Sequence, residues 1–96
     1  SKLLQDPRVQ GIECTGPNKN VLVNTDGLIK STATVLTKEE IDSIMQEISQ
    51  KTRIPLINGV FKAAFNNYVL TAIVSEFIGT RFVVQKRNPF QPLRVY

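Results

Sequence analysis

The stretch Thr37-Lys38-Glu39-Glu40-Ile41-Asp42-Ser43-Ile44-Met45-Gln46-Glu47-Ile48-Ser49-Gln50-Lys51-Thr52 decides the fold class. Ile41, Ile44, Met45 and Ile48 recur at i, i+3, i+4 and i+7, which is one face of a helix. Thr37 stands at the N-cap with Glu40 three residues on, the spacing of a capping box. Leu36 and Ile41 stand where a hydrophobic staple would close the first turn. The acids Glu39, Glu40 and Asp42 fall in the first turn, where the helix dipole favours them. Glu47 and Lys51 are spaced as a favourable i,i+4 pair, and Pro55 lies just beyond the end. The spacing therefore predicts one long helix, with Ile44 and Ile48 in the core.

Short strands flank it on both sides. Upstream, Asp6-Pro7 ends a first helical turn over residues 1–5, because the residue before Pro is pushed out of the helical region. Leu3 and Leu4 are expected to turn inward there. Val9 to Cys14 reads as a strand, Thr15-Gly16-Pro17-Asn18 as a turn, and Val21-Leu22-Val23 as a second strand. Asp26-Gly27 is a hairpin turn leading into Ile29 to Leu36, where Ile29, Ala33 and Val35 alternate with polar residues. Downstream, Gly59 to Phe65 and Tyr68 to Ser75 flank Asn66-Asn67, and Asn tolerates the positive φ of a tight turn. Gly79 opens another turn, and Arg81 to Arg87 is the last strand. Asn88-Pro89-Phe90-Gln91-Pro92 continues neither strand nor helix and reads as a linker. The order α-β-β-β-α-β-β-β, with hairpins dominant, predicts an α+β domain. Its sheet is mostly antiparallel, with one long helix and a short N-terminal helix on one face.

At 96 residues the chain is the size of one domain, and its 42% hydrophobic content allows one two-layer core. The longest apolar run, Val69 to Val74, is broken by Thr71 and is far short of the ~20 residues of a membrane helix. No charged start followed by an apolar run marks a signal peptide. The chain begins at Ser1 and its one Met is Met45, inside the predicted helix, so a piece of a longer protein is expected. We assign residues 1–88 to the domain and 89–96 to the start of a linker.

The chain has one Cys and no His, which removes a disulfide framework, a Ser-His-Asp or Cys-His catalytic set and the usual zinc ligands. Cys14 is expected to be buried. Neither a GxxxxGK[ST] nor a GxGxxG phosphate loop occurs. No catalytic residue and no metal ligand is therefore assigned.

Charge is uneven. Residues 1–50 carry five Lys or Arg against seven acids, net −2; residues 51–96 carry seven against one, net +6. A basic half suits a phosphate-bearing partner or an acidic protein face. Its candidate contact residues are Arg81, Lys86 and Arg87 in the last strand; Arg81 and Arg87 share one face, and Lys86 turns to the other with Phe82 and Val84. The alternative is that these charges protect a sheet edge or only meet solvent. Phe82 is the one aromatic inside the strand, so a base-stacking RNA surface is disfavoured.

Leu3-Leu4-Gln5-Asp6-Pro7-Arg8-Val9, then Gly16-Pro17 and Val21-Leu22-Val23, resembles the opening of the domain that precedes the motor in type II/IV secretion-system ATPases. The archaeal branch that assembles pili and archaeal flagella is the most similar. Gln50-Lys51-Thr52-Arg53-Ile54-Pro55-Leu56 stands where that family ends its helix, and Gly79-Thr80-Arg81-Phe82-Val83-Val84-Gln85-Lys86 is similar to its last strand. The chain departs at Asn66-Asn67-Tyr68-Val69, where the family hairpin carries an Arg that can reach nucleotide phosphate, at the Phe77-Ile78 region, which replaces a family Arg near the start of the last turn, and at Gln85, where the family strand carries another, with Lys86 kept. Arg81 and Arg87 are the residues that could substitute.

The resemblance implies a PAS-like domain with no activity of its own, packed on a RecA-type motor in a homo-hexamer and moving with nucleotide state. ATP and magnesium are implied for the parent protein and no cofactor for this chain. The implied partners are the motor of the same chain, neighbouring subunits and, indirectly, a membrane platform, at a cytoplasmic location. Ring contacts in the family lie largely in the motor, so the isolated domain is expected to be monomeric. The alternatives are a free-standing basic nucleic-acid-binding domain and a PAS-like sensor.

Overall fold

The computed structural model describes residues 2–87; the linker assigned to 89–96 lies outside them. The elements run α1 (Lys2–Gln5), β1 (Val9–Cys14), β2 (Asn20–Thr25), β3 (Leu28–Val35), α2 (Lys38–Thr52), β4 (Gly59–Phe65), β5 (Tyr68–Val74) and β6 (Arg81–Lys86). The order is the one read from the sequence. All six strands form one antiparallel sheet in the order β3-β2-β1-β6-β5-β4. It is two three-stranded meanders joined along β1 and β6. α2 carries the chain from the β3 edge to the β4 edge. Fifteen residues at ~1.5 Å rise give a helix of ~22 Å, and five strand spacings of ~4.8 Å make a sheet ~24 Å wide.

One face of the sheet holds the core. Ile12, Cys14, Val21, Val23, Phe61, Ala63, Leu70, Ala72, Phe82 and Val84 are buried there with Ile41, Met45 and Ile48 of α2. Leu4 of α1 packs on the same cluster, so both helices cover one face. A bulge between Val9 and Gly11 lets Val9 and Ile12, three residues apart, both reach the core.

Ile48 is core as expected, whereas Ile44 is half-buried at the margin of the helical stripe. The capping box forms: Thr37 Oγ1 accepts from the Glu40 N–H at 3.1 Å, and the Thr37 N–H donates to Glu40 Oε1 at 2.9 Å. Thr37→Ala leaves the Glu40 N–H to water and is expected to cost about 1 kcal/mol in urea unfolding. The i,i+4 ion pair of α2 is Lys38–Asp42 at 3.0 Å; Glu47 and Lys51 make none among the described residues, both being exposed side chains that gain little from pairing in water. The helix closes on Arg53 in the left-handed region, and Ser49 Oγ donates to the Ile54 carbonyl at 2.6 Å to fix the exit.

β3 departs from expectation. Its alternation has no buried face, because it is an edge strand that α2 does not cover, and Ile29 and Val35 stay exposed. Side-chain bonds fasten it instead: Thr32 Oγ1 donates to the Val21 carbonyl and Asn20 Nδ2 to the Thr32 carbonyl, both at 2.7 Å. Among the described residues no helix is long and apolar enough to cross a membrane.

Candidate functional site

The face without helices is the surface left for function. Cross-strand partners in an antiparallel sheet share a face, so the register lays this face out. One row runs Ile29, Asn24, Gly11, Gln85, Val69, Ala64; the next runs Ser31, Leu22, Glu13, Val83, Thr71, Lys62; a third holds Arg81, Ile73 and Val60. Over the β3–β2–β1–β6 half lies a groove of about 660 Å³. Leu22, Ile29 and Val83 form its apolar walls, Glu13 and Asn24 are polar points within it, and Arg87 lies at one end. Gly11 brings the strands together there: a Cβ on it would stand 2.8 Å from the Val84 carbonyl oxygen, so a side chain would force β1 from β6.

Arg81 is exposed on this face and pairs across to Ile73. It lines a smaller cavity of about 250 Å³ with Thr15 and Thr71. Arg87 is exposed one residue past β6, its N–H donating to the Asn67 carbonyl at 2.6 Å. At ~3.3 Å per residue the two arginines are ~20 Å apart along the strand, so they do not form one clamp. Neither makes an ion pair among the described residues. Lys86 turns to the helical face as its position in the alternation requires. It is half-buried, and its ammonium donates to the Asp6 carbonyl at 2.9 Å, which ties the end of β6 to the turn after α1. β6 is a central strand, so edge protection does not explain these charges.

Beside that tie, Arg8 donates hydrogen bonds to the Asp6 carboxylate and holds its pKa below the ordinary 3.8, with a smaller pull from Lys86. Both groups of this pair are on the surface. Burial pushes the Cys14 thiol above its ordinary value, and its S–H donates to the Gly16 carbonyl at 3.5 Å. A thiol that is buried and protonated is a poor nucleophile. Cys14 is expected to resist alkylation by iodoacetamide in the native state and to react once urea unfolds the chain; rapid native labelling would contradict its placement.

The groove was not singled out in the sequence, though a signal was there. Val21-Leu22-Val23 and Val83-Val84 are consecutive apolar residues in strands with one covered face, so some apolar side chains had to fall on the open one.

No family model matches the chain, and no curated protein does. Among solved structures the chain is similar to the VirB11 ATPase of the Brucella suis type IV secretion system, solved in complex with sulphate. The two superpose with a TM-score of 0.79 over 96% of this chain, at 14% sequence identity. That likeness is one of fold. The chain spans 30% of the VirB11 chain.

Proposed function

We propose that this chain is the non-catalytic domain that precedes the motor in a secretion or pilus-assembly ATPase, packing on RecA-type motor domains in a hexamer and coupling nucleotide state to domain movement. The observation that carries the reading is the fold shared with a secretion ATPase over almost the whole of this chain and under a third of that one. The resemblance at Leu3-Leu4-Gln5-Asp6-Pro7 and in the last strand supports it independently. The chain has no P-loop, so ATP and magnesium belong to the motor. Arg81, Arg87 and Lys62 are exposed cations of the open face with no ion pair among the described residues, and the two arginines are suited to nucleotide phosphate or to an acidic face of a neighbouring subunit.

The test is the parent protein. Its gene is expected to encode a P-loop within about one domain length, on the order of 100 residues, after Tyr96. The purified parent is expected to hydrolyse ATP as a hexamer, and this chain alone to show no ATP binding by calorimetry. A parent without a P-loop, or tight ATP binding by this chain, overturns the reading.

A further inference from the structure

The turn between β5 and β6 holds two large apolar side chains out in water. Phe77 is 96% exposed and Ile78 71%. The turn itself is tied: Ser75 Oγ accepts from the Phe77 and Ile78 N–H groups, both at 3.3 Å. Its far side rests on the β1–β2 turn, where Gly79, at φ +86°, lies so near Pro17 that a Cβ on it would stand 2.7 Å from the proline ring. A tied turn that projects a Phe and an Ile has the form of an interface anchor.

We infer that this tip seats in the open-face groove of a second copy of the chain. The groove, about 660 Å³ with Leu22, Ile29 and Val83 as walls, is large enough to take two such side chains. Charge agrees at the rim. Glu76 precedes Phe77 and has no ion-pair partner among the described residues, and Arg87 at the end of the groove has none either. Glu13, half-buried in the groove, repels Glu76 and so directs it to the Arg87 end, with Phe77 over the apolar walls.

The tip leaves the Arg81 end of β6, and Arg87 lies past the other end, ~20 Å away. Tip and groove are different patches of the surface, so the contact between them is head-to-tail. A joined pair then keeps one free tip, on one copy, and one free groove, on the other, which extends the assembly until it closes as a ring. One tip in one groove buries less than the roughly 800 Å² per partner of a standard interface. The dilute chain is therefore a monomer, and association appears as concentration rises. The contact does not depend on a motor following this domain.

The experiment is sedimentation equilibrium of the 96-residue chain over rising concentration. The wild-type mass is expected to climb past the dimer. Phe77→Glu and Ile29→Lys, both at exposed positions, are each expected to stay monomeric with unchanged circular dichroism melts. Their equimolar mixture is expected to form a dimer that grows no further, since it offers one intact tip and one intact groove. Should either variant melt early, the charge swap replaces it: Glu76→Arg and Arg87→Glu each weaken association singly and together restore it. A wild type monomeric throughout overturns the proposal. So does an Ile29→Lys chain that associates like wild type, or a mixture that stays monomeric. Phe77-dependent binding to phosphatidylcholine vesicles without self-association would instead make the tip a membrane anchor. A parent lacking a P-loop would leave all these outcomes unchanged, so the two proposals fail separately.

Discussion

Leu70→Ala is expected to lower the melting temperature of the domain by roughly 8–40 °C. Leu70 is 0% exposed and lies in the middle of the core face, opposite Val84 on β6 and Ala63 on β4. Truncating a Leu there removes its transfer free energy and leaves a cavity that a sheet pinned on both sides cannot collapse, a loss of about 2–5 kcal/mol. In a domain of this size each kcal/mol moves the midpoint by about 4–8 °C. Ile73 is the control. It is three residues along the same strand on the open face, 46% exposed, and Ile73→Ala is expected to cost less than about 1 kcal/mol. Equal losses for the two, measured by thermal unfolding, would mean that the faces of β5 are wrongly assigned.

The second large effect is kinetic and belongs to the parent ATPase of the proposed function. Arg81→Ala is expected to reduce steady-state ATP turnover by a factor on the order of 10³, the scale of losing an arginine that steadies charge on a transferring phosphoryl group. Arg81 is exposed and makes no ion pair among the described residues, and it stands beside a cavity that Thr15 and Thr71 also line. Arg87→Ala is expected to weaken ring assembly and to leave turnover per assembled ring near wild type, because Arg87 lies at the end of the groove assigned to the neighbouring copy. Light scattering for assembly and phosphate release for turnover separate the two. If neither variant changes either quantity, both arginines only meet solvent, and the cost of each is within about 0.5 kcal/mol of stability.

The fold was largely legible because its signals are local. The capping box at Thr37 and Glu40, the 3.6-residue period through Ile41, Met45 and Ile48, and the turn residues Asp26, Asn66 and Gly79 each state their own conformation without reference to the rest of the chain. What stayed hidden depends on which strands are neighbours. The pairing of β1 with β6 joins residues some seventy positions apart, and no local pattern announces it. The edge position of β3 is of the same kind: its alternation is real, and only the strand order shows that nothing covers it. Alternation within one strand gives the opposite faces of Arg81 and Lys86. That Lys86 would spend its ammonium on the Asp6 carbonyl, at the far end of the chain, was not readable from β6 alone.

The chain enters and leaves the sheet at one place. β1 begins and β6 ends side by side, Gly11 opposite Gln85, with Lys86 clasping the Asp6 carbonyl just outside. A tension applied where β1 begins and β6 ends, at Val9 and Lys86, would therefore fall across the end of the β1–β6 seam rather than along it. The clasp would give first and the seam would then open one rung at a time, as a zipper does, so no row of hydrogen bonds shares the load. Mechanically the domain is soft to a pull between its two ends. Pushed or rotated as a block through its helical face, it resists with its whole core. A machine that moved this domain could turn it as one body, but could not haul on it through its two chain ends without peeling the two meanders apart.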